Sequence, residues 1–343
     1  MASPVRIDSQ PAPALSEFLA DNHYSSIAVL VDDHTERDCY PLLEEILPRH
    51  KVIRVPAGEE HKNLATCTFI WQKLTDINLD RHALLIILGG GVLGDMGGFC
   101  AATYKRGIDF IILPTTLLAQ VDASVGGKLG IDFQDLKNHI GLFQEPRTTL
   151  IATDFLKTLP PRELQSGFAE IIKHCLISDK TMWNTIREKD LDQQDWLKLV
   201  EHSVAFKRSV VEQDPRESGL RKVLNFGHTL GHAIEGYYLK TGNRLFHGEA
   251  VAVGMICESF LAQKKGMISS QDLDEITDYL KAGYGKVELP RDLKPILTLV
   301  NQDKKNRDNR ILMALPDGIG KARWDVEISE DEIKSAFAYY NSL

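Results

Sequence analysis

His228 and His232 stand four residues apart in Asn225-Phe226-Gly227-His228-Thr229-Leu230-Gly231-His232, and a third histidine follows in His247-Gly248-Glu249. Spacing of i, i+4 puts the first two imidazoles on one face of a helix. A further histidine after a short break can close a site for zinc or a similar ion, because neutral imidazole is a favoured ligand. Two ordinary helix histidines and a loop histidine would give the same pattern. Spacing alone therefore leaves metal-assisted chemistry and a purely structural role both open.

Glycine-rich turns offer a second kind of chemistry. Gly89-Gly90-Gly91-Val92-Leu93-Gly94-Asp95 follows a strong apolar run and satisfies G-x-G-x-x-G. Glycine lets the backbone approach a pyrophosphate, and the next helix can offer its amides to the anion. The acidic ribose partner expected about 20 residues on would be Asp109, at the wrong end of a strand; Asp32 or Glu59 is better placed. In Ser124-Val125-Gly126-Gly127-Lys128 a phosphate loop would need glycine at 122 and Ser or Thr at 129, where the chain has Asp122 and Leu129, so an NTPase role is rejected. Lys128 remains a candidate cation for an anionic substrate.

The elements that must carry these residues alternate in the first half. Apolar runs at Ile27–Val31, Lys51–Val55, Ala83–Leu88 and Phe110–Leu113 are separated by helical stretches such as 63–77. That pattern indicates a parallel sheet covered on both faces, with ligands beyond the carboxyl ends of its strands. After about Asp154 helical periodicity dominates, with Pro160 and Pro161 near a helix start. The expected architecture is an α/β Rossmann-like nucleotide-binding domain over 1–154 and an all-α domain over 155–343, with a cleft between them.

A chain of 343 residues has room for both. Its net charge of −8 argues against a nucleic-acid partner but not against a small anionic substrate met by a few focused cations. The apolar runs are too short to span a membrane. Residues 1–10 lack the basic and apolar segments of a secretory signal. Five scattered cysteines without Cys-x-x-Cys fit reduced thiols, and the expected location is cytoplasmic.

Seven motifs occur in one order: Gly89-Gly90-Gly91-Val92-x-Gly94-Asp95, Pro114-Thr115-Thr116-Leu117-Leu118-Ala119-Gln120-Val121-Asp122, Gly126-Gly127-Lys128, Lys137-Asn138, Ala169-Glu170-x-x-Lys173, Leu224-Asn225-x-Gly227-His228 and His247-Gly248-Glu249. This set, covering about 27–320, closely resembles the 3-dehydroquinate synthase family of sugar phosphate cyclases. The resemblance implies NAD and a divalent metal, usually zinc, with cobalt as an alternative, typically in a homodimer. The substrate would be an anionic sugar phosphate, 3-deoxy-D-arabino-heptulosonate 7-phosphate. It would be converted to 3-dehydroquinate and phosphate by transient oxidation, phosphate elimination, re-reduction and intramolecular aldol closure.

Residue by residue, the resemblance implies metal ligands Glu170, His228 and His247, with His232 a neighbour rather than a ligand. Catalytic positions would be Asp122, Lys128, Asn138, Lys173 and His232. Substrate contacts would be Lys128, Asn138, Lys173, Lys207, Arg221 and Asn225, with Arg106 reaching the phosphate from the partner subunit. The nucleotide side would hold Asp32, Glu59, Lys62, Gly90, Gly91, Val92, Asp95, Thr115, Thr116, Leu118, Asp122, Lys137, Asn138, Phe155, Thr158 and Glu163. Two departures stand out: Asp32-Asp33-His34 where Asp-x-Asn is common, and Leu312 where a basic substrate contact is common, so that either another cation such as Arg310 substitutes or the phosphate grip is altered. Rival readings are another cyclase acting on a heptulose phosphate without a carboxylate, a metal-dependent polyol dehydrogenase, and a non-enzymatic nucleotide-binding protein.

Overall fold

The computed structural model describes residues 4–123, 126–134, 136–215, 217–301 and 310–343. The chain divides into two compact units, residues 1–164 with 196–204, and residues 165–195 with 205–343.

The first unit is built on a six-stranded, all-parallel sheet. Its strands are β1 (Val5–Asp8), β2 (Ile27–Asp32), β3 (Lys51–Val55), β4 (Leu84–Gly89) and β5 (Asp109–Pro114). The antiparallel hairpin of β6 (Lys128–Phe133) and β7 (Leu136–Phe143) intervenes before the sixth, β8 (Thr149–Ala152). The sheet order is β1-β8-β5-β4-β2-β3. Alternate residues of the central strands feed two cores. Ala28, Leu30, Leu85, Ile87 and Phe110 face one, and Val29, Val31, Ile86, Leu88 and Ile111 face the other. Both faces are therefore buried, which is why these strands read as continuous apolar runs. The covering helices are α1 (Pro11–Asp21), α2 (Asp33–Asp38), α3 (Leu64–Asp76) and α4 (Gly91–Thr103). Helix α3 starts where the Asn63 side chain accepts the Thr66 amide.

Helix α5 (Pro161–Ser178) begins at the second proline of the pair, where a missing N–H costs nothing. It is followed by α6 (Lys180–Arg187), α7 (Trp196–Gln213, its first half counted with the first unit), α8 (His228–Thr241), α9 (His247–Lys264), α10 (Ser270–Tyr284), α11 (Lys294–Asn301) and α12 (Glu330–Ser342). The second unit is thus helical, with one correction to the all-α expectation: β9 (Ile311–Pro316) and β10 (Ala322–Ile328) form an antiparallel hairpin. The hairpin was masked in the periodicity because β9 is a six-residue, nearly fully buried apolar run that does not alternate.

Helices α8 and α9 pack at very short range. A Cβ at Gly254 would lie 1.9 Å from the Gly227 carbonyl oxygen and 2.8 Å from the Gly231 nitrogen. Gly227 itself has φ +77 where α8 starts, a left-handed value suited to glycine. The buried carboxylate of Glu258, on α9, accepts the Gly227 amide at 2.5 Å and the Leu230 amide at 3.1 Å. A carboxylate from the neighbouring helix thereby caps the helix that carries His228 and His232.

Candidate active site

In the first unit, β4 ends at Gly89 and α4 starts at Gly91, so Gly90 and Gly91 form the helix N-terminus at the carboxyl edge of the sheet. The first turn of α4 has no acidic side chain, which leaves its amide end suited to an anion. A pocket opens there, lined by Gly90, Gly91, Asp95, Pro114, Ala119 and Lys128. Behind it Lys62, 4% exposed, donates to Asp95 Oδ2 and to Asn138 Oδ1, each at 2.6 Å. The backbone N–H of Asn138, at φ 49 within β7, donates to Asp132 Oδ1 at 2.7 Å, holding that residue in its left-handed conformation. Burial pushes the Asp95 carboxyl up despite the pull of the Lys62 ammonium, with Glu59 and Asp122 adding repulsion. Lys137 Nζ stands 4.0 Å from Glu59 Oε1. Asp122 sits in a short π turn, Ala119–Ala123, a rare geometry that recurs at functional sites.

Other residues of the nucleotide set have different local tasks. Asp32 caps α2, its Oδ1 accepting from the His34 and Thr35 amides at 3.0 and 2.8 Å. The Thr115 amide donates to the Gly89 carbonyl, which ties β5 to the glycine turn, and Thr116 Oγ1 accepts the Ala119 amide. Val92 and Leu118 are half-buried. The Phe155 ring lies in the core, the Thr158 hydroxyl donates to the Phe155 carbonyl, and Glu163 lies in the first turn of α5. Arg106 is exposed with φ 70, on the turn after the far end of α4 from the glycines.

The second unit gathers the proposed metal residues. Glu170 and Lys173 are one turn apart on α5, fully buried, and ion-paired through Glu170 Oε2. The other carboxylate oxygen, Oε1, faces His228 Nε2 at 3.3 Å and His247 Nε2 at 3.5 Å without a hydrogen bond to either. Both rings are held from behind: His228 Nδ1 meets the Phe226 carbonyl at 3.0 Å, and His247 Nδ1 meets Glu235 Oε2 at 3.3 Å. Each ring thus donates from Nδ1 and turns Nε2 inward, where a lone pair serves a cation once the ring is neutral. Two imidazole nitrogens and an orphaned buried carboxylate oxygen, all facing one another, are the donor set a divalent cation satisfies. His232 joins the group, its ring centroid 5.0 Å from His228 and 5.7 Å from His247, and the three rings present ligand atoms within 4.8 Å of one another. The expected Glu170, His228 and His247 are brought together, and His232 beside them is the exposed member.

Electrostatics around the cluster follow from burial and charge. Burial opposes ionisation of Glu170, but Lys173 and the imidazoles outweigh it and hold the carboxyl well below the usual range. Burial and the Lys173 ammonium push His228 down. For His247 burial also opposes the charge, but Glu170 and Glu235 carry the ring up to about 9.

Among the described residues the buried lysines and arginines are Lys62, Lys173, Lys207 and Arg221. Buried cations are rare unless they have partners or a task, and the motif resemblance had named each of these four. Lys128 and Arg106, by contrast, are exposed. Arg221 and Asn225 lie on the turn Leu220–Asn225, where Arg221 Nη1 donates to the Pro215 carbonyl at 3.0 Å and Asn225 Nδ2 to Glu217 Oε1 at 2.9 Å. Asp214 builds that turn by accepting the amides of Ser218, Gly219 and Arg221, and these bonds pull its carboxyl down to about 2. Leu312 is half-buried in β9, and Arg310 is exposed beside Glu327 at 3.5 Å. Asp303-Lys304-Lys305-Asn306, which also resembles the family's pattern, lies outside the described residues, as do Ser124 and Val125.

Asp214, Glu217, Glu235 and Glu258 escaped sequence reasoning. Glu235 had a visible signal, being three residues after His232 and seven after His228 on one helix face. Glu217 and Glu258 had none, because nothing in their surroundings in the chain points to the partners they meet.

An α/β unit with a glycine turn at its carboxyl edge, followed by a helical unit with a Glu-His-His cluster, defines a class of two-unit proteins. A solved member is 2-epi-5-epi-valiolone synthase from Streptomyces hygroscopicus subsp. jinggangensis 5008 with NAD+ and Zn2+ bound, which matches with a TM-score of 0.88 at 25% identity over 100% of this chain and 97% of that one. Family models narrow the class: 3-dehydroquinate synthase N-terminal matches residues 52–166, and 3-dehydroquinate synthase C-terminal matches 167–306. The 3-dehydroquinate synthase of Parabacteroides distasonis is 38% identical over 332 residues, 95% of this chain and 94% of the relative. That of Nitratiruptor sp. is 44% identical over 293 residues, 83% of this chain and 82% of the relative. The chain belongs to the 3-dehydroquinate synthase family.

Proposed function

We propose that the chain converts 3-deoxy-D-arabino-heptulosonate 7-phosphate to 3-dehydroquinate and phosphate, as an NAD- and metal-dependent lyase. The observation that carries this reading is the convergence of Glu170 with His228 and His247 in a chain so similar, over nearly its whole length, to relatives named for that activity. NAD would supply a hydride acceptor that returns the hydride within the same turnover, and a divalent ion, zinc first and cobalt second, would supply Lewis acidity toward a substrate hydroxyl.

The chain's own residues divide the remaining work. Glu170, His228 and His247 hold the ion, and Lys173 keeps Glu170 ionised. Gly90, Gly91 and the α4 amides receive the dinucleotide phosphates, with Lys62 fixing Asp95 and Asn138 beside them. Lys207, Arg221 and Asn225 in the second unit, and Lys128 and Asn138 in the first, are suited by charge and hydrogen bonding to the anionic and hydroxyl groups of such a substrate. His232 and Asp122 each hold or pass a proton, at a ring nitrogen and a carboxylate oxygen respectively. Arg106, exposed on its turn, serves the phosphate of a partner subunit in a homodimer. Five free, buried cysteines fit a reducing cytoplasm, and no helix among the described residues is long and apolar enough to cross a membrane.

One observation favours a second reading. Leu312 replaces a common basic contact, and a cyclase for a heptulose phosphate without a carboxylate would need one cation fewer. Against it stands the buried Arg221 beside Asn225, a costly arrangement unless an anion completes it. Phosphate release measured side by side from the two sugar phosphates separates them. Release from the carboxylated sugar is expected, and release from the other sugar alone would contradict the proposal.

A further inference from the structure

We infer that Glu235 is a positioning residue that fixes the His247 imidazole with Nε2 toward Glu170 and so sets how tightly the metal is held. The inference rests on the metal reading above. His247 is the first residue of α9, where a side chain has little helix behind it to limit its rotation. Its Nδ1 meets Glu235 Oε2 at 3.3 Å while its Nε2 stands 3.5 Å from Glu170 Oε1. Glu235 therefore stands behind the ring rather than among the inward-facing donors. A ring flip would exchange the two nitrogens and put an N–H where a lone pair is needed.

The two candidate histidine ligands are held by different means. His228 is backed by the Phe226 carbonyl, two residues away on its own chain segment, which no substitution removes. His247 depends on a side chain from the neighbouring helix. Glu235 shares the α8 stripe of His228 and His232, and it is 17% exposed against 24% for His247, so the contact is partly shielded from water. A carboxylate behind a ligating imidazole fixes its tautomer and raises its basicity, and removing such a partner typically weakens metal binding by about 10–100-fold.

The test titrates zinc alone into metal-free full-length wild type, Glu235→Gln, Glu235→Ala and His247→Ala, in competition with a chromophoric chelator, with melting temperatures of the metal-free proteins alongside. Wild type is expected to bind most tightly. Glu235→Gln, which keeps an acceptor at Nδ1, should bind more weakly, and Glu235→Ala weaker still by about 10–100-fold at an unchanged melting temperature. His247→Ala should lose the site. Equal zinc affinity in wild type and both Glu235 variants, with His247→Ala still defective, would overturn the role of Glu235 and leave the metal reading standing. Failure of the wild type to bind zinc would overturn both. If Glu235→Ala melts early, Glu235→Gln against wild type decides, equal affinity overturning the role.

Discussion

At the scale of single residues, the site is a set of buried charges that make sense only together. Glu170 spends one carboxylate oxygen on Lys173 and leaves the other to face two imidazoles without a hydrogen bond, an arrangement that costs free energy unless a cation completes it. Asp214 shows the opposite economy, since three backbone amides stabilise its charge and shape the turn that carries Arg221 and Asn225. Its folded value of about 2 lies below the ordinary 3.8, so its contribution is fully present above about pH 4 and is lost as the pH falls through about 2. The turn should therefore keep its order at pH 5 and lose it in strong acid. Asp214→Asn should raise KM for the anionic substrate at neutral pH with kcat little changed, because Arg221 is displaced while the metal cluster is not. Steady-state kinetics of the variant check this, and unchanged KM would separate Asp214 from substrate recognition.

At the scale of elements, helices α8 and α9 are the frame on which the histidines ride. Gly254 lets them approach so closely that even a methyl group has no room. Gly254→Ala should cost about 1–3 kcal/mol or more of stability, a fall of several degrees in melting temperature, and should weaken zinc binding because His228 and His247 move with their helices. Calorimetry with zinc titration measures both, and an unchanged melting temperature would contradict the packing argument. Much of this frame was legible beforehand. The central strands β2 and β5 announced themselves as apolar runs closed by Asp32 and Pro114, the edge strand β3 stopped at Pro56, and α3 and α5 began at Asn63 and Pro161. The edge strand β1 and its neighbour β8 are four residues each, too short for a periodic signal, and the β6–β7 hairpin is hidden by its paired glycines Gly130 and Gly141. Within the site, the histidines and Glu170 could be found by motif order. The Glu258 cap could not, because it meets residues about 30 positions earlier in the chain and depends on how two helices cross.

At the scale of the whole molecule, two units each bring one chemical capacity, a glycine turn with an anion-binding helix end in the first and a carboxylate-histidine cluster in the second. A polyol dehydrogenase would share that division of labour, so fold alone does not choose between net oxidation and a redox-neutral elimination. Family membership, and the buried Lys207 and Arg221 that suit an anionic substrate, favour elimination. The most direct measurement follows inorganic phosphate and NADH together when 3-deoxy-D-arabino-heptulosonate 7-phosphate is added to the protein with NAD and zinc. Phosphate should be released over many turnovers with no accumulation of NADH, should cease when a chelator removes the metal, and should resume when zinc is restored. NADH accumulating in step with turnover, or phosphate release indifferent to the chelator, would contradict the account.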